Sequence, residues 1–283
     1  MITASTRLAG VIGDPIVHSL SPVIHNAAFR ALELDWAYLA FRVADGSALR
    51  AVAAMRALGM GGLNVTMPHK QEVLDGLDRL TPTADLLQSV NTISWRGDQL
   101  VGDSTDGAGF LEALRHDEGV DPAGRRAVVL GAGGAARAVV LALAEAGASD
   151  VLVLNRTAEN TEAAVALAPG IARAGLLGAA DGALAEADIV VNATPIGMAG
   201  TPDAGALPVD PAHLRKGQVV VDLVYHPLRT SLLEVAKGKG CIAVTGLGML
   251  IHQAAHAFRL WTGDDPPLEV MSAAALSALR HDA

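Results

Sequence analysis

Two sets of residues in this 283-residue chain have types and spacings suited to chemistry. The first is a glycine turn. Gly131, Gly133 and Gly134 follow the apolar run Ala127–Leu130 and open the alanine-, leucine- and valine-rich stretch Ala135–Ala146. The pattern Gly-x-Gly-x-x-Ala between a strand and a helix suits a dinucleotide. Gly131 permits the sharp turn, Gly133 lets the backbone approach a pyrophosphate, and Ala136 lets the helix lie against the strand. The free N–H groups and the positive end of the helix dipole would then face phosphate. A tight connection that binds nothing meets the same pattern. Val151–Leu154 reads as the next strand, and it ends in Asn155-Arg156-Thr157. An NAD-type unit places Asp or Glu about 20 residues past the turn. Arg156 stands 25 residues past Gly131, and a cation there suits a 2′-phosphate and so NADP. A solvated arginine at a strand end is the plain alternative.

The second set lies in the first third of the chain. Asn64, Thr66 and Lys70 occur at the end of the run Gly62–Thr66 and in the loop after it, and ligands of open α/β sheets bind at strand carboxyl ends. Lys70 and Asp106 each follow a polar loop and make the best acid/base pair. The lysine could protonate a developing alkoxide while the carboxylate orients it. A surface lysine and a helix-start aspartate satisfy the same spacing. Ser19 and Ser21 could bind a carboxylate or cap the helix that Pro22 begins, with Ser21 the expected cap. His18, His25 and His69 have neither an HExxH pattern nor cysteine partners, so no metal site is read. Cys241 is the single cysteine, which excludes a disulfide framework and reads as a small core residue. No Gly-x-Ser-x-Gly elbow supports Ser-His-Asp chemistry.

These residues need α and β elements in alternation to hold them. Strands are expected at Leu8–Ile12, Ala37–Val43 and Gly62–Thr66, with helices from Pro22 to about Leu34 and over Ala48–Leu58. Pro68 is expected to start a helix, and a short one follows at Thr83–Leu87. A hairpin is expected at Ser89–Trp95 and Gln99–Val101, with Asn91 near its start. A polar loop, Gly102–Gly107, precedes the helix Ala108–Arg115. Strands near 127, 151, 172, 189, 219 and 241 suit a full dinucleotide-binding sheet, although 169–188 is loosely patterned. Thr245–Met249 reads as a glycine turn into a helix over Leu250–Trp261, and a final helix runs to about Leu279. The fold class is α/β with two α/β domains. Residues 1–105 with 246–283 form a substrate domain, and 106–245 a Rossmann-type domain, with the last helices returning to the first. Hydrophobic residues make up 51% and aromatics 3%, so the core is expected to be aliphatic. A net charge of −9 without basic runs argues against nucleic acid. No signal-peptide core and no 18-residue apolar run is seen, which gives the expectation of a soluble, cytoplasmic protein without membrane partners, monomeric or homodimeric.

Five separated motifs, His18-Ser-Leu-Ser-Pro22, Asn64-Val-Thr-Met-Pro-His-Lys70, Val90-Asn-Thr92, Gly102-Asp-Ser-Thr-Asp-Gly107 and Gly248-Met-Leu-Ile-His-Gln253, match the shikimate dehydrogenase family in letters, order and spacing. The chain resembles that family over essentially its whole length. Gly131-Ala-Gly-Gly-Ala135, Asn155-Arg-Thr157 and Asn192-Ala-Thr-Pro-Ile-Gly-Met198 extend the resemblance. It implies reversible, NADP-linked interconversion of shikimate and 3-dehydroshikimate, with hydride passing to the C3 carbonyl. It makes Lys70 the acid/base and Asp106 its partner. Ser19 and Ser21 would hold the substrate carboxylate. Asn64, Thr66, Asn91, Asp106 and Gln253 would bind ring hydroxyls, with Tyr225 helping to close the pocket. Gly131, Ala132, Gly133, Gly134, Ala135 and Thr194 would lie along the dinucleotide. Asn155, Arg156 and Thr157 would hold the 2′-phosphate, and Gly246 and Met249 would lie near the nicotinamide.

Three positions depart from the family pattern. Thr245 stands where Asp is usual, His69 where Phe or a similar residue is frequent, and Ser104 where Asn is commoner. A quinate or aminoshikimate dehydrogenase of the same family, with NAD as its cofactor, is the nearest alternative. A non-catalytic metabolite-sensing regulator would be expected to lack Lys70 or Asp106. If Arg156 meets the 2′-phosphate, Arg156→Ala should raise the KM for NADP much more than that for NAD in steady-state assays. Equal effects would exclude the contact.

Overall fold

The computed structural model describes residues 2–281 except Leu177 and Ala179. The expectations that cover Met1, Leu177, Ala179, Asp282 and Ala283 lie, at those positions, outside the described residues. The chain divides into two compact units, Met1–Thr105 with Ile251–Ala283, and Asp106–Leu250.

The first unit is built on a six-stranded mixed sheet in the order β2-β1-β3-β5-β6-β4. Its elements are β1 (Arg7–Gly13), α1 (Ser21–Ala31), β2 (Trp36–Arg42), α2 (Ala48–Ala57), β3 (Gly62–Val65), β4 (Arg79–Leu80), α3 (Pro82–Leu87), β5 (Thr92–Arg96) and β6 (Gln99–Asp103). β1 runs parallel to both β2 and β3, as two helical crossovers require. The β5–β6 hairpin turns at Gly97, whose φ of +65° suits a residue without Cβ, and β5 joins β3 antiparallel. The two-residue β4 was not legible because so short a segment carries no periodicity. Pro68 does not start a helix. Turns follow it, and the chain first coils in a 3₁₀ segment at Glu72–Gly76.

The second unit contains α4 (Asp106–Glu112), β7 (Arg126–Leu130), α5 (Gly134–Glu145), β8 (Asp150–Asn155), α6 (Ala158–Val165), β9 (Ala172–Leu176), α7 (Ala180–Glu186), β10 (Ile189–Asn192), β11 (Val219–Asp222), α8 (Ser231–Gly238) and β12 (Ile242–Thr245). All its strands are parallel, in the order β12-β11-β10-β7-β8-β9. Strands such as Val219-Val-Val-Asp222 are buried throughout because helices cover both sheet faces. One aliphatic layer gathers Val129, Val139, Val153, Val191 and Val221, and the opposite layer gathers Val128, Leu152, Leu184, Val190 and Leu232. The loosely patterned 169–188 segment resolves into β9 and α7. The helix expected from Ala108 begins earlier, at Asp106, because Gly102 and Asp103 belong to β6 and only Ser104 and Thr105 link the two elements.

Two helices complete the chain, α9 (Gly246–Thr262) and α10 (Leu268–His281). α9 follows β12 directly, so Gly246 and Gly248 lie in its first turn and not in a preceding loop. Gly246 suits that junction because a Cβ there would collide with the Leu223 carbonyl. The division between units falls after Leu250, inside α9, which places Gly246 and Met249 in the second unit.

The scarce aromatics are concentrated in one layer of the first unit. The His25 ring stacks on Tyr38 at 4.4 Å and 12° and lies 5.1 Å from Trp261, with Phe29 and Phe258 beside it. The Trp261 indole donates to the Ile93 carbonyl (3.0 Å) and fills the space that a Cβ at Gly62 would need. The aliphatic expectation therefore holds for the second unit, whereas α1, α9 and α10 close over an aromatic layer. His25 is fully buried, and neither ring nitrogen has a hydrogen-bond partner. Desolvation lowers its pKa from 6.5 to about 3. The unfolded ring takes a proton below pH 6.5 and the folded ring does not, so stability falls with pH across that window. The slope from this residue should be about 1.4 kcal/mol per pH unit. Denaturant titrations between pH 4 and 7, about the window named above, should show His25→Phe losing that component.

Candidate functional site

In the first unit, buried polar side chains join at the carboxyl end of β3 and the start of β5. The Ser21 hydroxyl lies beside the Tyr38 phenol. Tyr38 Oη donates to Asn64 Oδ1 (2.7 Å), and Asn64 Nδ2 donates to the Asn91 carbonyl (3.1 Å) and to Thr92 Oγ1 (3.1 Å). Thr92 Oγ1 donates onward to Asn91 Oδ1 (2.9 Å), which also accepts from the Thr105 backbone N–H (2.9 Å). Asn91 Nδ2 donates to Thr105 Oγ1 (3.0 Å) and reaches Gln253 Oε1 (3.5 Å), while Thr105 Oγ1 donates to the Gln253 carbonyl (3.2 Å). Asn64, Thr92 and Asn91 are all nearly sealed from solvent, so each donor and acceptor needs such a partner. Burial pushes the Tyr38 phenol well above its ordinary pKa, against a smaller opposing effect of the nearby Ser21 hydroxyl.

Asn64, Asn91 and Gln253, expected to face one ligand, thus share one network, and Ser21, expected with them, lies beside its Tyr38. Tyr38, Thr92 and Thr105 belong to it and were not singled out from sequence. The alternation of β2 could have marked Tyr38 as inward-facing, and Thr92 and Thr105 lie inside the matched motifs. Ser21 is not the N-cap of α1. That place falls to Leu20, and Ser19 Oγ accepts the Ser21 N–H at 3.3 Å, leaving the Ser21 hydroxyl for Tyr38. Ser19 and Thr66 are partly exposed, and the Thr66 N–H donates to Ile12 O (2.9 Å) at the end of β1.

Lys70 is partly exposed and stands on a tethered segment. Its carbonyl accepts the Val90 N–H (2.8 Å), one residue before Asn91. The preceding residue, His69, is fully buried. His69 Nε2 donates to the Val43 carbonyl (2.8 Å), and Nδ1 faces Glu72 Oε2 at 3.4 Å. Glu72 Oε1 in turn accepts the Ala48 N–H at the start of α2 (2.9 Å). The departure at His69 therefore replaces apolar packing with a polar tie between the β2–α2 loop and the segment that carries Lys70.

In the second unit the glycine turn lies where strand order reverses, between β7 and its neighbours β8 and β10. Gly131 has φ +104°, and a Cβ there would press on Ala193 O and Thr194 Cγ2, each at 3.1 Å. Ala136, in the first turn of α5, is fully buried. Gly133 is different: a Cβ there would meet nothing within 4 Å. Packing does not require that glycine, so the open space suits a bound pyrophosphate. Ala132 is buried, Gly134 is exposed and Ala135 is partly exposed. Asn155 Nδ2 donates to Thr157 Oγ1 (3.0 Å), which orders the end of β8, and Arg156 is exposed there.

A second network supports this end of the sheet. Asn192 Oδ1 accepts from the Thr194 N–H (3.1 Å) and hydroxyl (2.6 Å), and Asn192 Nδ2 donates to Asp222 Oδ1 (2.9 Å). Asp222 is fully buried and also accepts from the Val224 N–H (3.1 Å) and the Thr230 hydroxyl (2.6 Å). Burial raises its pKa, and the three hydrogen bonds partly oppose that. Tyr225 follows directly, and burial raises its phenol pKa. Asp106, nearly buried, is the first residue of α4. Met249 packs into the aliphatic layer of this unit.

These features define an α/β protein of two units, one presenting a preorganised polar cluster and the other a Rossmann-type sheet with an open glycine turn. Family profiles match along the chain: "Shikimate dehydrogenase substrate binding domain" over 11–93, "Shikimate / quinate 5-dehydrogenase" over 114–201 and "Shikimate 5'-dehydrogenase C-terminal domain" over 246–276. The chain belongs to the shikimate dehydrogenase family. It is 47% identical over 277 residues to the shikimate dehydrogenase (NADP(+)) of Moorella thermoacetica, covering 95% of this chain and 92% of that one. A Thermus thermophilus shikimate 5-dehydrogenase structure in complex with NADP(H) and shikimate superposes with a TM-score of 0.86 at 40% identity, covering 96% and 99% of the two chains. A shikimate dehydrogenase structure in complex with NADP+ gives 0.92 at 39% identity, covering 99% and 98%. No helix among the described residues is long and apolar enough to cross a membrane.

Tyr38→Phe should leave the buried Asn64 Oδ1 without its donor. The expected cost is about 1–3 kcal/mol, read as a lower urea midpoint.

Proposed function

We propose that this chain catalyses the reversible, NADP-dependent reduction of 3-dehydroshikimate to shikimate. The observation that carries the reading is the joining of Asn64, Asn91 and Gln253 in one polar network that is tied through Val90 to the Lys70 segment, with Ser21 beside the Tyr38 of that network. A ring bearing several hydroxyls needs donors and acceptors held in advance, because an unpaired polar group on either partner costs affinity. The activity named for the relatives supports the same choice. Open space at Gly133, the small Ala136 and the exposed Arg156 suit a dinucleotide with a 2′-phosphate. Bound NADPH supplies the hydride.

The residues of the chain do the rest. Ser19 and Ser21 hold the substrate carboxylate, and Asn64, Thr66, Asn91 and Gln253 orient the ring hydroxyls, with Tyr225 closing the pocket. In the reductive direction the Lys70 ammonium gives a proton to the oxygen formed at C3, and Asp106 orients the lysine and balances its charge. In the oxidative direction Lys70 takes that proton back. Gly131, Ala132, Gly133, Gly134, Ala135 and Thr194 line the dinucleotide, Asn155, Arg156 and Thr157 hold its 2′-phosphate, and Gly246 and Met249 border the nicotinamide. Residues 1–105 with 246–283 act as the substrate domain and 106–245 as the cofactor domain. The setting is cytoplasmic.

Rates should be measured on shikimate and quinate with NADP and with NAD, for the wild type and Lys70→Ala. The wild type should favour shikimate with NADP. Lys70→Ala should lower kcat by about 10²–10⁴ with a modest change in KM. A strong quinate/NAD preference would overturn the substrate assignment, and unchanged turnover the role of Lys70.

A further inference from the structure

Arg137 is a cation whose position nothing within the chain accounts for. It stands in the first turn of α5, where its N–H donates to Gly133 O (2.9 Å). Several other arginines of the second unit are paired, among them Arg126 with Glu186, Arg173 with Asp150 and Arg215 with Asp188, whereas Arg156, also without an ion pair among the described residues, is exposed. Arg137 is half-buried and has no ion-pair or side-chain hydrogen-bond partner among the described residues. Its Nε is sealed from solvent with no acceptor. Burial lowers its pKa from the ordinary guanidinium value. Its place adds to the difficulty, because the amino end of a helix already carries positive potential. An unpaired, partly desolvated cation at that end destabilises the protein unless an anion joins it.

The place of Arg137 on α5 indicates which anion. A helical side chain leans toward the amino end and covers the turn before its own Cα. For Arg137 that turn is Gly133–Gly134, both exposed, and the space beside Gly133 is open. We propose that Arg137 binds the pyrophosphate of the dinucleotide, adding a charge to the neutral N–H groups of the glycine turn. The proposal rests on the reading of that turn as the NADP site. It divides the cationic work by phosphate: Arg137 serves the pyrophosphate, common to NADP and NAD, and Arg156 serves the 2′-phosphate, which only NADP carries.

The test is fluorescence titration of the full-length protein with NADPH and with NADH, alongside thermal melting with and without nucleotide. Arg137→Met should weaken both nucleotides by a similar factor, roughly tenfold or more, as expected for loss of a charge-assisted contact. Arg137→Lys should stay within a few-fold of the wild type, and Arg156→Ala should weaken NADPH alone. Without nucleotide, Arg137→Met should melt at or above the wild-type temperature, and with saturating NADPH it should melt below it. Unchanged affinity for both nucleotides, a loss confined to NADPH, or a lower melting temperature without nucleotide would each overturn the assignment. A wild-type protein that binds neither nucleotide, with Arg156→Ala also silent, would overturn the cofactor reading itself.

Discussion

The Asn91 carboxamide is the group on which the first unit depends. It is buried, so each of its donors and acceptors must be matched inside the protein. Its partners are its own neighbour and two groups further along the chain. Thr92 begins β5, Thr105 follows β6, and Gln253 arrives on α9 after the whole second unit has intervened. A side chain that bonds to all three fixes where those segments end. It also limits how far Lys70 can stray, because Val90, the residue before Asn91, holds the Lys70 carbonyl. Preorganisation of this kind lets a polar ligand be bound without reordering the groups that receive it.

The second unit solves a parallel problem with Asn192 and Asp222. Both stand at the ends of central strands and both are fully buried. A carboxylate in that position would be costly alone. Three donors make it tolerable, and those donors are the means by which the loop after β11 and the start of α8 are held. Asn192 holds the loop after β10 through Thr194 in the same way. The glycine turn needs this support, since Gly131 is packed against Ala193 and Thr194. Unlike at Gly131, a Cβ at Gly133 would meet nothing within 4 Å, which separates a glycine required by the fold from one that leaves room for a ligand.

Two of the buried histidines in the first unit have opposite chemistry. His25 lies among aromatic rings with no hydrogen-bond partner and is held neutral by desolvation. His69 is equally buried, yet it spans a backbone carbonyl and a carboxylate. Burial alone therefore does not say what a histidine does. The groups that meet its two nitrogens decide it.

Much of this was legible in the chain itself. Long apolar strand runs, helix-stopping glycines and the glycine turn are local signals, and each marked its element to within a few residues. Arg156 at a strand end and the motif positions Lys70, Asn91 and Gln253 were also readable one by one. The places where local reading failed share a physical cause. Ser21 looked like a helix cap because capping is local, but α1 starts at Ser21 itself and its hydroxyl faces Tyr38 of another element. Pro68 looked like a helix start because proline fits there, but the chain turns and coils only from Glu72. β4 pairs with β6 only through the sheet. Tyr38, Thr92, Thr105 and Asp222 gained their roles from partners far away in sequence or across strands. Residue types and spacing thus determined the elements and the chemistry available to them. Tertiary structure alone decided which polar groups were buried together, because desolvation acts on neighbours in space and not on neighbours in sequence.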